Sequence, residues 1–351
     1  MIESKNQPYT EQIHSGRDPH GIVNSHRSVL FHRFRINGGM LLRSGSLMGF
    51  ALVITYFAFA APGFLSVGNI ANVLEQSAIL GVLSFGMTIV MIAGGSNVIT
   101  GGIDLSIANN LGLSAAVYAV SLKMGQPDIV ALVLTLATGL AVGVLNAVAV
   151  VGIGILPLIA TLTVMNICAG FELVITQNTV LQASSPFLTL LAGNGPFGIS
   201  TLAYLLLIVG FVLIVAIEFT PFGVRLYAVG GFREAAVAAG LPVNGYIATS
   251  YILSGICGSI GAVLSVALLS GSSTGSGDML LSVVVTALLG VVFSRRFVPT
   301  ISGSLVSVLF IGFLINGFQL ANISSYWVNG VEGLLILFAV ATTSLVRRTE
   351  A

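Results

Sequence analysis

Charge is what this chain lacks most. Asp, Glu, Lys and Arg make up 7% of its 351 residues, 56% are hydrophobic, and the mean hydropathy is +1.03. A soluble globular domain carries about 25% charged residues, so such a domain is excluded. Histidine is missing from every apolar stretch. His14, His20, His26 and His32 all fall in the polar first 44 or so residues, at a spacing that lines no helical face. No histidine-based triad or metal site can form in the apolar part, and no metal ligands are assigned. The two cysteines, Cys168 and Cys257, lie inside apolar stretches and read as small packing residues. Gly-x-x-x-x-Gly-Lys-Ser/Thr occurs nowhere, so the chain carries no P-loop and is not expected to be an enzyme. Gly193-Asn194-Gly195-Pro196-Phe197-Gly198 matches a dinucleotide fingerprint in letters only, because it follows no strand and contains a proline. A formal net charge of +1 gives no basis for a nucleic-acid partner.

Long apolar runs are what the chain has. They can be drawn at 46–63, 70–93, 104–122, 129–151, 155–177, 200–219, 246–270, 279–293, 301–320 and 328–346. A membrane-spanning helix needs about 20 apolar residues. These runs are apolar on all sides, unlike the alternating strands of a barrel. The expected fold class is therefore all-α: a polytopic membrane protein of about ten transmembrane helices. Basic residues set its orientation, because they stay on the cytoplasmic side. Lys5, Arg17, Arg27, Arg33, Arg35 and Arg43 precede the first run, and Arg347 and Arg348 follow the last. Arg225, Arg233, Arg295 and Arg296 fall on alternate connections, and only Lys123 breaks the pattern. Both termini and the 220–245 connection are expected inside. Residues 1–45 read as a cytoplasmic tail without fixed structure and with no cleavable signal peptide, and residues 46–351 as the transmembrane domain. Forty-two glycines suit close helix packing in lipid, notably Gly139 with Gly143 and the stripe Ser254, Gly258, Ala262.

The acidic residues of the apolar part are Glu75, Asp104, Asp128, Glu172, Glu218, Asp278 and Glu332. Most are expected near segment ends, within reach of water. Asp104 stands apart. It lies in Gly101-Gly102-Ile103-Asp104-Leu105-Ser106, where glycines interrupt the apolar run. An ionised group at the bilayer centre costs about 2.5–3.5 kcal/mol on insertion scales. Two readings stay open and are compatible: Asp104 caps the helix that begins there, or it lines a polar solute path beside irregular backbone. Asn109, Asn110, Asn146, Asn166 and Asn316 are polar groups that either contact a neutral solute or bond helix to helix.

The most specific stretch is the 221–243 connection. Ala235, Ala236, Ala238 and Ala239 favour a short helix at the membrane surface, Gly240 can stop it and Pro242 prevents its continuation. Such a helix can enter a groove on a partner protein. Glu234-Ala235-Ala236-x-x-x-Gly240 resembles the coupling-helix motif of ABC importer permeases. Ala228-x-Gly230-Gly231, with Gly240 and Val243 following, is similar to the ribose-type sugar permeases. Gly101 to Ser106 resembles that family's hallmark, and Phe313 to Gly317 with Ser324-Ser325-Tyr326 its C-terminal part.

The resemblance implies a multi-pass permease subunit of the bacterial cytoplasmic (inner) membrane, moving a monosaccharide or related neutral polyol. It implies partners as well: separate ABC ATPase subunits that hold the ATP and Mg, a second permease subunit, and an external substrate-binding protein. No cofactor belongs to this chain. The resemblance assigns Arg233, Glu234, Ala235, Ala236 and Gly240 to ATPase coupling. The translocation path is expected at Gly101, Gly102, Asp104, Ser106, Asn109 and Asn316. A same-fold permease for nucleosides, branched-chain amino acids or a signalling sugar derivative remains open, as does an ion-coupled secondary transporter using Asp104 or Glu75. Phe293-Ser294-Arg295-Arg296 replaces the glycine pair usual in the family and suggests an altered ATPase or permease contact.

Overall fold

The structure, a computed structural model, describes residues 38–95, 102–272, 274–294, 297–324 and 326–350. The four histidines, Gly101 and the Arg295-Arg296 pair lie outside the described residues.

The described chain is helical, with only two isolated bridge pairs, Gln182 with Gly271 and Asn194 with Ser200. The elements are α1 (Gly38–Ala60), α2 (Val67–Gly94), α3 (Ile107–Lys123), α4 (Asp128–Ala147), α5 (Pro157–Thr176), α6 (Pro186–Ala192), α7 (Thr201–Glu218), α8 (Pro221–Gly231), α9 (Arg233–Ala238), α10 (Val243–Leu269), α11 (Leu280–Phe293), α12 (Ile301–Leu320) and α13 (Tyr326–Glu350). Among the described residues, seven apolar helices are long enough to cross a membrane. With α1, α3 and α13 they account for every apolar run drawn from the sequence. α1 begins at Gly38, ahead of its apolar run at 46. The starts are chemically marked. The side chains of Ser66, Ser200 and Thr300 accept the third backbone N–H of α2, α7 and α12, a donor that the helix itself leaves free. Pro157 and Pro221 open α5 and α8, where a missing N–H costs nothing. α4 runs on into a π turn, Val148–Gly152, closed by the Ile153 N–H on the Val148 carbonyl.

α2 is the axle of the fold: 94% of its apolar window is buried, against 28% in each of α4, α5 and α7. It packs against α7, α10, α11 and α12. A helix buried all round can be apolar all round. The outer helices turn residues such as Leu134, Leu162, Phe171 and Phe211 outward, as a lipid-facing surface requires. Backbone contact through small residues holds α4 on α10. A Cβ on Gly139 would strike the Gly255 carbonyl, and one on Gly143 would lie 2.7 Å from the Tyr251 carbonyl. The stripe opposing Gly139 and Gly143 is thus Gly255 with Ser259. The Ser254–Gly258 stripe seen in the sequence faces α3 instead: Ser254 bonds Asp104, and a Cβ on Gly258 would strike Asn110.

Candidate functional site

The 221–243 connection forms two helices where the sequence suggested one. The break is Phe232, at φ −141° and ψ 77°, after the Gly230-Gly231 pair. α9 then ends on a glycine-based closure. Gly240 adopts φ +76°, its N–H reaches the Val237 carbonyl at 2.9 Å, and the Leu241 N–H reaches the Ala236 carbonyl at 3.0 Å. The positive φ is why glycine stands there. Ala236 points inward and is 4% exposed, packed with Val90, Val229, Val243, Ile247 and Tyr251. Arg233, Glu234 and Ala235 are exposed, flanked by Phe232 at 79% exposure and Val237 at 60%. α9 thus shows a small-residue face edged by two bare apolar side chains and a charge of each sign.

Backbone contact also locks α8. A Cβ on Gly95 would strike the Gly230 carbonyl, and one on Gly230 would strike the Ile92 carbonyl, so the end of α8 lies directly on the end of α2. The Tyr227 hydroxyl donates to the Pro299 carbonyl at 2.8 Å. Burial, and less strongly the Glu218 carboxylate, raises this phenol above its ordinary value and keeps it a donor. The Ser302 N–H and hydroxyl donate to Glu218 at 2.8 and 3.1 Å, anchoring the approach to α8.

Asp104 is 1% exposed and is the centre of a buried polar hub. Its Oδ1 accepts the Ser106 N–H at 3.0 Å and the Ser106 hydroxyl at 2.6 Å, a turn that sets the start of α3. Its Oδ2 accepts the Ser254 hydroxyl of α10 at 2.6 Å. Asn146 of α4 donates to Ser106 Oγ at 2.7 Å and, at 3.4 Å, towards Asp104 Oδ1. Nearby, Asn110 donates to the Gly255 carbonyl at 2.9 Å, and Thr161 of α5 to the Ile103 carbonyl at 3.3 Å. Gly102 starts this loop, and a Cβ there would strike the Val90 carbonyl of α2.

The expected path residues therefore do not converge. Gly102, Asp104 and Ser106 belong to the hub. Asn109 is 8% exposed and lies against Gly277, its Oδ1 without a hydrogen-bond partner among the described residues. Asn316 lies elsewhere, in a reciprocal amide pair with Asn69 at 2.8 and 3.0 Å that ties α12 to α2. Glu172 is 3% exposed and Glu332 1%, so both are buried, not within reach of water as their places near segment ends suggested. Glu172 lies against Gly112, where a Cβ would strike its carboxylate, and Ser282 donates to Glu332 at 2.8 Å. The sequence reading also missed the tie between Ser254 and Asp104. The serine was visible only as one small residue in a packing stripe.

A cavity of about 520 Å³ is lined both by Gly102, where the hub's loop starts, and by residues of the 221–243 connection. Val90, Gly102, Val151, Gly230, Arg233 and Tyr251 are among the residues of its wall. Leu156 and Pro157 share that wall, so α5 begins at the same end of the molecule as the 221–243 connection. The connection that follows α5, carrying α6, lies at the opposite end, about 30 Å away at the helical rise of twenty residues.

Residues 69–340 match the family described as branched-chain amino acid transport system / permease component. The sequence is similar to the ribose import permease protein RbsC of Bacillus subtilis (strain 168), 33% identical over 305 residues, 86% of this chain and 92% of that protein. It is 30% identical over 311 residues to the L-arabinose ABC transporter permease protein AraH of Azospirillum brasilense, covering 87% of this chain and 89% of that one. The galactose/methyl galactoside import permease protein MglC of Escherichia coli (strain K12) matches at 27% over 329 residues, 87% of this chain and 95% of that one.

Proposed function

The chain belongs to the branched-chain amino acid transport system / permease component family, and from that premise we propose that it is the membrane-spanning permease subunit of an ABC importer for a monosaccharide or related neutral polyol. The sugar class rests on relatives named for ribose, arabinose and galactose. The observation that carries the mechanism is α9: a short exposed helix, closed by a glycine at positive φ and backed by a buried alanine. Arg233, Glu234 and Ala235 form the surface that a separate ATPase subunit grips, while Ala236 and Gly240 hold that surface in shape. ATP and Mg belong to that partner. A second permease subunit completes the conduit, and an external binding protein delivers the solute at the α6 end.

The work cycle is alternating access. ATP binding draws the ATPase subunits together, the coupling segments follow, and the helices shift between outward-open and inward-open arrangements. The chain's own residues transmit force and perform no bond chemistry. An ion-coupled mechanism centred on Asp104 finds less support, because both carboxylate oxygens already accept hydroxyl groups of the protein.

Purification of the chain with its neighbouring gene products tests this reading. An ATPase should co-purify, and solute delivered by the binding protein should stimulate ATP hydrolysis. Glu234→Arg should weaken ATPase co-purification by about tenfold, the scale of an interfacial charge reversal. Undiminished docking, or uptake driven by an ion gradient without ATP, overturns the proposal.

A further inference from the structure

Both ends of the coupling segment lead back to one carboxylate. On the entering side, α8 rests on the end of α2 through the Gly95–Gly230 backbone contact. α2 in turn seats Gly102 on its Val90 carbonyl, two residues before Asp104. On the leaving side, α9 passes through the Gly240 closure straight into α10. Ser254 lies about three turns, roughly 16 Å, along α10 from Val243. There it donates to Asp104 Oδ2 at 2.6 Å.

The carboxylate divides its oxygens between two bodies. Oδ1 is held by the turn that opens α3, and by Asn146 of α4 at longer range. Oδ2 is held by α10 alone. Both hydroxyl contacts are short, at 2.6 Å, and a hydrogen bond in a buried, low-dielectric site is stronger than one in water. A second tie, Asn110 to the Gly255 carbonyl, runs beside it. Packed bodies with discrete arrangements can pass displacement through the bonds that join them.

We propose that Asp104 is a positioning residue of the transport cycle: through its Oδ2–Ser254 bond it carries displacement of the coupling segment into the turn that opens α3. The proposal rests on the ABC-importer reading and adds to it a named joint between the ATPase contact and the membrane helices. Asp104 then acts through α10 and α3, and the solute need not touch it. A carboxyl group suits this place because its two oxygens bond Ser106 and Ser254 separately.

The test uses the assembled transporter, full-length permease with its ATPase and binding protein, in sealed vesicles, measuring ATP hydrolysed and sugar taken up in the same sample. Ser254→Ala removes one hydroxyl and leaves volume and helix intact. The expected result is sugar uptake reduced with hydrolysis retained, so that ATP consumed per sugar rises by up to about tenfold, the scale of losing one buried hydrogen bond. Asp104→Asn should act in the same direction, and the double variant should be no worse than Asp104→Asn alone. A purely structural role lowers hydrolysis and uptake together and leaves their ratio unchanged, and an unchanged ratio in Ser254→Ala overturns the proposal. Should Asp104→Asn fail to fold, Ser254→Ala still decides it. Wild-type uptake that needs no ATPase removes the importer reading and this proposal together, an outcome distinct from an unchanged ratio in a working assembly.

Discussion

Asn316 shows what a single polar side chain in an apolar helix can and cannot reveal. Its presence in the run at 301–320 marks a group that needs a partner, because an unpaired amide in a buried site costs about 1–3 kcal/mol. The sequence leaves open whether that partner is solute or protein. In the fold it is Asn69, and the two amides exchange both hydrogen bonds. Asn316→Leu should therefore lower the thermal stability of the solubilised protein, since it leaves Asn69 Oδ1 without its partner. Asn69→Leu combined with Asn316→Leu should recover part of that loss, because it removes the unpaired oxygen while giving up the Asn69 bond to the Phe64 carbonyl. If Asn316 contacts solute instead, the double variant regains stability without regaining uptake. Glu172 is the opposite lesson. Its position near the end of an apolar run suggests water, yet Gly112 lets α3 close over it. No local pattern encodes that closure.

Among the elements, the helices were the legible part. Each apolar run became a helix, because in lipid the backbone must satisfy its own hydrogen bonds and a helix does so within one segment. The glycine spacing of α4 announced a close contact but not its register. The contact falls on Gly255 and Ser259, one residue along from the stripe that the sequence suggested. Gly139→Leu should consequently disrupt α4 against α10, with a cost of about 1–3 kcal/mol or more and loss of monodisperse protein on size-exclusion chromatography. Gly170→Leu is the control: a Cβ there meets nothing within 4 Å, so stability should be unchanged. The coupling segment divides between the two levels. The alanines and Gly240 foretold α9, whereas the break at Phe232 and the seat of Gly230 on Gly95, a contact between residues far apart in the chain, appear only in the fold.

At the scale of the whole molecule, orientation is the open quantity with the sharpest test. Cys168 and Cys257 are both free and buried, so the natural protein gives little background to a thiol reagent. Phe232→Cys and Phe197→Cys place thiols at exposed positions in the coupling segment and in the connection after α6. A membrane-impermeant maleimide should label the first only in inside-out vesicles and the second only in right-side-out ones. The reverse pattern would invert the topology and end the coupling assignment. The sequence by itself determined that this chain is an all-helical membrane protein and where its apolar helices fall. Those follow from the cost of charge in hydrocarbon and from helix length, which are properties of consecutive residues. Only the tertiary structure decided which groups Asp104, Asn316 and Ser254 bond, and that Glu172 lies buried against Gly112. A buried polar group is defined by the partner that satisfies it, and in this fold those partners come from helices distant in sequence, brought close by glycine contacts whose register no single segment specifies.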